Sequence, residues 1–209
     1  MDALTLAVPS GRLFSDAVAL LRRLGWLETM PDGRSLVVDG AAGFRMIITK
    51  PADVLTLVEH GAADAGITGK DILLEQERDV YELVDLAFGR CRGVVAMPPA
   101  VGEDLWGRPS LLRVATKYPR IASRYFAAQQ RAVEVIELHG SVELAPRVGL
   151  ADAILDVVMT GTTLRANRLV EVAEVFRSSA RLVVNRVSLR TKAAAVRRIV
   201  GQMKGAEAR

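Results

Sequence analysis

The sequence predicts an α/β protein in which parallel-rich sheets are covered by helices. Strand-like apolar runs alternate with segments of helical spacing along nearly the whole chain, the order that parallel strands joined by helical crossovers require. Hydrophobic residues make up 50% of the 209, enough to bury a sizeable core.

Leu4 to Val8 reads as a strand and Leu13 to Leu24 as an amphipathic helix. Ser35 to Val38 and Arg45 to Ile48 are short strands, and Ala52 to Glu59 returns to helical spacing. Ala63 to Ile67 is the next strand, followed by a helix from Gly69 into Glu75. Val80 to Ala87 and Arg92 to Met97 are extended, the latter opening a second series. Within it Leu112 to Ala115, Val133 to Leu138 and Ala153 to Met159 are strands, with helices at Ile121 to Gln130, around Ser141 to Pro146 and at Leu164 to Val170. Val170 to Arg177 and Arg181 to Asn185 are extended again, and Ser188 to Lys204 has helical spacing.

Composition excludes several classes. The formal charge is +4, from 28 Lys+Arg against 24 Asp+Glu, a modest excess whose sign gathers polyanions. Phosphate-bearing small molecules and nucleic acid both fit that charge, but aromatic residues at 5% leave little for base stacking, so no nucleic-acid partner is expected. Arg186, Arg190, Lys192, Arg197, Arg198 and Lys204 hold much of the basic excess and read as a solvated helix face. Met1 to Pro9 has no basic leader region and too short an apolar run for a signal peptide. No stretch approaches transmembrane length without charge, so no membrane partner is expected. The single cysteine, Cys91, rules out an internal disulfide, fits a cytoplasmic protein and reads as a packed strand residue.

The most informative segment is Asp152 to Thr163, Asp-Ala-Ile-Leu-Asp-Val-Val-Met-Thr-Gly-Thr-Thr. A strand buried on both faces leads into a turn crowded with hydroxyls, and a helix follows. Several amides at that helix start could converge on one anion, with Gly161 removing a side chain where backbone and phosphate meet. By spacing alone an ordinary threonine-capped turn is the favoured reading over a ligand site. Asp156 favours the phosphate cradle, because a carboxylate there suits a sugar whose vicinal hydroxyls lie beside the phosphate.

Around this segment stand Gly140-Ser141-Val142-Glu143-Leu144-Ala145-Pro146 and Asn167, with Ala115-Thr116-Lys117-Tyr118-Pro119, Gly66-Ile67-Thr68-Gly69-Lys70-Asp71 and Gly11-Arg12-Leu13 upstream. Together they closely resemble the short form of ATP phosphoribosyltransferase, from about Leu4 to Leu189 and in the family's order. The resemblance implies a transfer of the phosphoribosyl group of phosphoribosyl pyrophosphate to adenine N1 of ATP, with release of pyrophosphate, as the first step of histidine biosynthesis. It implies two lobes of the type II periplasmic-binding-protein kind with substrates in the cleft between them. On that resemblance residues 1–90 and 172–209 are expected to form the first lobe and residues 91–171 the second.

By the same resemblance Thr160, Gly161, Thr162, Thr163 and Leu164 hold the 5-phosphate, and Asp156, with Glu143 or Asp152, holds the ribose hydroxyls. Asp152 could equally cap local backbone. Arg34, in a turn before a strand, reaches the pyrophosphate by resemblance and would otherwise read as an exposed turn residue. Mg²⁺ is expected to arrive with the substrate phosphates, since the sequence holds no dense carboxylate cluster for a protein-only cage. The implied partner is a regulatory subunit similar to histidyl-tRNA synthetase, in a hetero-oligomer containing dimers of this chain. Long-form relatives continue into a histidine-sensing domain, whereas this sequence stops after one basic helix at Arg209.

ATP is expected on Gly11, Arg12, Lys50, Gly66 and Asp71. Gly11 and Arg12 follow the first strand, where ligands meet the carboxyl edge of a parallel sheet. Arg12 is either a phosphate fork, with a catalytic role beside Arg34, or a solvated first-turn residue. Ser10 stands where the family often has lysine, and Lys50 stands where relatives carry arginine, keeping the charge and losing bidentate geometry. The small residues from Gly61 to Gly69 suit either a nucleotide or tight packing, and Asp71 also suits a helix start. His60 and His139 each precede a glycine and read as turn or packing residues.

The implied chemistry needs no nucleophilic side chain. Adenine N1 carries its own lone pair, so alignment and stabilisation of departing pyrophosphate by Arg34, Arg12 and Mg²⁺ are the protein's tasks. The rival expectation is a non-catalytic small-ligand-binding protein of the same fold, against which the missing secretion signal counts. A transcription-regulator half is disfavoured because no helix-turn-helix precedes the first strand.

Overall fold

The computed structural model describes residues 3–29, 35–99 and 111–207. They form two compact units, Met1–Arg90 with Ser179–Arg209, and Cys91–Ser178.

In the first unit, strands β1 (Leu4–Pro9), β3 (Phe44–Thr49) and β4 (Ala65–Gly69) are mutually parallel. Their sheet is completed by β2 (Val37–Asp39), β5 (Val80–Asp85) and β11 (Ala180–Asn185), in the order β2-β3-β1-β4-β11-β5. β2 runs antiparallel to β3, and β11 runs antiparallel to both neighbours. The central strands are near-continuous apolar runs because both faces are covered. On one face Leu4, Leu6 and Val8 pack with Val18 and Leu21 of α1 (Phe14–Arg23) and with Val196 and Ile199 of α8 (Ala193–Glu207). On the other, Ala7 and Val183 pack with Val54, Leu55 and Val58 of α2 (Val54–Glu59). α1 closes in a Schellman turn, with Trp26 N–H on Leu21 C=O and Gly25 N–H on Arg22 C=O, both 2.9 Å. Gly25 sits there at φ +72, a conformation that favours glycine. α3 (Lys70–Gln76) follows β4 directly.

The second unit holds β6 (Cys91–Met97), β7 (Leu112–Thr116), β8 (Val133–Glu137), β9 (Ala153–Val158) and β10 (Val170–Ser178) in the order β10-β6-β9-β7-β8. β7 is parallel to both β8 and β9, while β6 and β10 are antiparallel additions. Helix α4 (Pro119–Ala128) begins with proline, which needs no amide partner there, and buries Ile121, Ala122 and Phe126. α5 (Leu144–Arg147) and α6 (Thr162–Ala166) are short.

Both sheets are therefore mixed, with the parallel strands central in the first and at one end, β9-β7-β8, in the second, and the α/β class stands. The expected boundary at 171/172 falls inside β10, which stays paired with β6 to the register Ser178↔Cys91. The helix expected from Leu164 to Val170 instead spans Thr162–Ala166. It stops in a Schellman turn, with Arg168 N–H on Arg165 C=O, Leu169 N–H on Leu164 C=O and Arg168 at φ +57, so Val170 can start a strand. The single terminal helix expected at Ser188 to Lys204 is two, α7 (Arg186–Thr191) and α8. Asn185 caps the first, accepting the amides of Val187 and Ser188. Lys192 breaks the run between the two helices.

Candidate functional site

In the second unit the parallel register Val114↔Ala153 to Thr116↔Leu155 sets the carboxyl ends of β7 and β9 side by side. Beyond β9 the chain turns through Met159 and Thr160 to Gly161, which takes φ +73 and starts α6. The Thr160 and Thr162 hydroxyls are 3.1 Å apart. Arg165 reaches back over the turn, donating from Nη2 to Thr162 Oγ1 at 3.2 Å and from Nη1 to Thr160 C=O at 3.3 Å. Asn167 Nδ2 donates to Thr163 C=O at 3.0 Å. Arg165 N–H is bonded to Gly161 C=O, so the amides just before it precede the first intrahelical bond. Gly161, at the N-cap, has no side chain to cap them. Thr162 and Thr163 are exposed, whereas Leu164 points into the core with Ile154 and Val158 and offers the turn only its backbone.

Asp156 lies near the end of β9, its side chain 14% exposed. Lys117 Nζ stands 3.1 Å from its Oδ1, and Val157 N–H donates to the same oxygen at 2.7 Å. Oδ2 accepts no hydrogen bond from any described residue. Burial pushes the Asp156 carboxyl above its ordinary pKa; Lys117 opposes the shift, and Glu143, which leads into α5, adds to it. The structure thus brings Asp156, Glu143, the Thr160–Thr163 turn and Lys117 to one end of the second sheet.

Asp152 is not among them. It precedes the first residue of β9, four positions from Asp156, or roughly 13 Å at the rise of a strand. Arg113 occupies both its oxygens, with Nη2 2.9 Å from Oδ1, and backbone N at 2.9 Å and Nε at 3.3 Å from Oδ2. The open alternative, a local structural role, is the one this geometry fits.

In the first unit, β1, β3 and β4 run parallel, so the residues after them share an edge. Gly11, at φ +81, and Arg12 follow β1. Arg12 donates to Gly89 C=O and lies 3.5 Å from Asp71 Oδ1. The Asp71 side chain is 5% exposed, and a Cβ on Gly69 would collide with it. Lys50, exposed after β3, has no ion-pair partner among the described residues. Gly66 sits inside β4, where an added Cβ would stand 2.8 Å from methyls of both Val54 and Val58; tight helix packing accounts for that glycine. His60 and His139 are exposed. Arg34 lies outside the described residues.

Sequence reasoning missed the roles of Lys117, Thr116 and Arg165. The first two stood inside the quoted Ala-Thr-Lys-Tyr-Pro run. Only strand register shows that this run ends beside Asp156.

A family model for ATP phosphoribosyltransferase matches residues 50–205. The chain is 47% identical to the ATP phosphoribosyltransferase of Caldanaerobacter subterraneus subsp. tengcongensis, over 96% of this chain and 95% of that one. Among solved structures it is similar to the ATP phosphoribosyl transferase (HisG:HisZ) complex of Thermotoga maritima, with TM-score 0.84 and 34% identity, covering 97% of each chain. A periplasmic binding protein of Salmonella typhimurium with high arginine specificity superposes with TM-score 0.65 at 12% identity, over 100% of this chain and 95% of that one. That second likeness is one of fold alone.

Proposed function

The chain belongs to the ATP phosphoribosyltransferase family, and on that premise we propose that the turn after β9 holds the 5-phosphate of phosphoribosyl pyrophosphate while Asp156 holds its ribose hydroxyls. The enzyme forms a bond from adenine N1 of ATP to the anomeric carbon, as the bond from that carbon to pyrophosphate breaks and its electron pair leaves with pyrophosphate. This is the first step of histidine biosynthesis.

One observation carries the site assignment. A largely buried carboxylate has one oxygen committed to the protein and the other unbonded, at the strand end that opens into a hydroxyl-lined glycine turn. The phosphate is received by the amides of Thr162, Thr163 and Leu164 and the hydroxyls of Thr160, Thr162 and Thr163, with Gly161 leaving the approach clear. Glu143 supports the sugar from the neighbouring loop. ATP falls to Gly11, Arg12, Lys50 and Asp71 at the carboxyl edge of the first unit. Asp71 orients Arg12, and Gly66 contributes by letting α2 pack closely. Arg34, with Arg12, stabilises the charge that gathers on departing pyrophosphate.

Among the described residues no group of three or more His, Cys, Asp or Glu could hold a metal ion. The acids near the cradle, Asp156 and Glu143, are too few for a cage and suit a Mg²⁺ carried in on the substrate phosphates. The ion's contribution when bound is neutralisation of pyrophosphate charge. We assign the enzyme to the cytoplasm; its one cysteine is buried, and no helix among the described residues is long and apolar enough to cross a membrane. We further propose a regulatory subunit similar to histidyl-tRNA synthetase as partner, in a hetero-oligomer containing homodimers of this chain. The full-length similarity to a chain of the HisG:HisZ complex supports this.

The test is direct. The pure chain, given ATP, phosphoribosyl pyrophosphate and Mg²⁺, releases pyrophosphate and forms the N1 adduct, and histidine inhibits once the regulatory subunit is added. Absence of pyrophosphate release with and without that subunit refutes the activity.

A further inference from the structure

We propose that Lys117 is a positioning residue for the sugar site, fixing Asp156 through Oδ1 so that Oδ2 is left to accept a ribose hydroxyl. This inference rests on the reading of Asp156 as the ribose acceptor and goes beyond it by assigning the residue that makes the carboxylate usable.

The placement of Lys117 is built into the strand end. Thr116 is fully buried, and its hydroxyl donates to Leu155 C=O at 2.7 Å while accepting Tyr118 N–H at 2.9 Å. The residue before Lys117 and the residue after it are thereby tied to β9, one position from Asp156. Tyr118 is 2% exposed, with its ring edge-on to Phe176 at 6.0 Å between centroids. Phe176 fills the space that the missing side chain of Gly93 leaves, since a Cβ there would stand 2.1 Å from the ring. Pro119 then starts α4. Between these anchors Lys117 has a short path to Asp156, and its ammonium also lies 5.3 Å from the Tyr118 ring centroid. The side chain is pre-organised by groups that touch no substrate.

The electrostatics favour such a cation. A vicinal diol donates protons, and an ionised carboxylate accepts them more strongly than a neutral acid. Burial works against ionisation of Asp156, and Glu143 adds a like charge. Across the sheet, Val94 of β6 stands opposite Asp156, and Arg92 on the same strand is held by Glu171 and Glu174. Among the described residues, Lys117 is the cation that reaches Asp156.

The experiment uses the full chain with Lys117→Met, Lys117→Arg, Asp156→Asn and the Lys117→Met/Asp156→Asn pair. Circular dichroism checks the fold of each, and Lys117→Arg keeps the charge should the methionine variant fold poorly. Lys117→Met is expected to raise KM for phosphoribosyl pyrophosphate about tenfold, the worth of one charge-assisted hydrogen bond. KM for ATP should stay within about twofold, the acid limb of kcat/KM should move to higher pH, and Lys117→Arg should recover most of the loss. In the Asp156→Asn background the second substitution should add less than about twofold, because the coupling is gone. Independently of turnover, carbon NMR titration of the unliganded protein should place the Asp156 carboxyl midpoint higher in Lys117→Met than in wild type.

An unmoved carboxyl midpoint, or a KM increase of the same size in the Asp156→Asn background, overturns the proposal; the latter makes Lys117 an independent phosphate contact. If Asp156→Asn raises KM and Lys117→Met does not, the ribose reading stands and the inference about Lys117 falls alone. If Asp156→Asn leaves KM unchanged, the ribose reading falls and takes this inference with it.

Discussion

Lys192, in the joint between the last two helices, sets its ammonium 2.8 Å from Asp64 Oδ2, a residue 128 positions earlier in the chain. Asp64 is 6% exposed and also accepts Thr5 N–H at 2.9 Å and the Ser188 hydroxyl at 2.7 Å. Lys192 donates in addition to Ala3 C=O at 2.9 Å. The carboxylate thus ties the opening strand, the start of β4 and the C-terminal helices together. This pull on Lys192 accompanies the break between α7 and α8.

This cluster makes stability acid-sensitive. Burial by itself raises the Asp64 pKa, but the bonds from Lys192, Thr5 and Ser188 outweigh it and leave the carboxyl below its ordinary value. With the folded pKa lowered, the stabilisation is complete above the unfolded carboxylate pKa, about 4, and is lost as pH falls through the folded value. Asp64→Asn should cost roughly 1–2 kcal/mol at neutral pH, by removing the charge that a one-third-exposed Lys192 pairs with, and should flatten the acid limb of stability. Urea melts at stepped pH check both.

Gly161→Ala tests the turn. A methyl carbon there would stand 3.2 Å from Arg165 Nη1 and 3.4 Å from Glu171 Oε1, at a backbone φ of +73. The backbone term alone is about 1–2 kcal/mol. Initial-rate kinetics should show KM for phosphoribosyl pyrophosphate raised roughly tenfold, with KM for ATP unaffected.

Asp152 and Asp156 should separate cleanly. Asp152→Ala removes the partner of Arg113 and should lower the thermal midpoint while leaving KM for both substrates near wild type. Asp156→Ala should do the reverse, weakening use of phosphoribosyl pyrophosphate by about tenfold or more through lost hydroxyl bonds. The raised Asp156 pKa adds a pH signature. The acid limb of kcat/KM for that substrate should lie above the ordinary carboxylate range in wild type and vanish in Asp156→Asn.

Arg34→Ala should lower kcat about a hundredfold or more while changing KM for ATP little, because its partner charge grows only as pyrophosphate departs. Steady-state kinetics with varied ATP decide it; unchanged turnover removes Arg34 from the mechanism.

Thr68 offers a stability test. It is fully buried in β4, and its hydroxyl has no hydrogen-bond partner among the described residues. Thr68→Val keeps the branched shape and removes the unsatisfied group, so it should stabilise by about 1 kcal/mol. A thermal midpoint higher by roughly 2–4 °C is the expected readout.

The parallel strands were legible because burial on both faces leaves an apolar run that needs no partner to be recognised. Leu4–Pro9, Leu112–Thr116 and Ala153–Val158 each lie within a residue of the expected bounds. Short helices were read less well. The end of α6 depends on Arg168 taking a left-handed conformation, and the break at Lys192 comes with contacts to Asp64 and Ala3, neither of which local periodicity carries. The two aspartates of the Asp152 to Thr163 segment also looked alike on paper. They differ because one strand separates them, putting Arg113 beside the first and Lys117 beside the second.

The sequence by itself determined the α/β class, the order of elements, the family and the glycine turn that follows β9. These depend on local hydrophobic pattern and on motifs contiguous in the chain. Tertiary structure alone decided that Asp152 pairs with Arg113, that Gly66 lies against Val54 and Val58 and that Lys117 stands against Asp156. Each of those outcomes follows from strand register and close packing, which set distances between residues that the linear order leaves far apart.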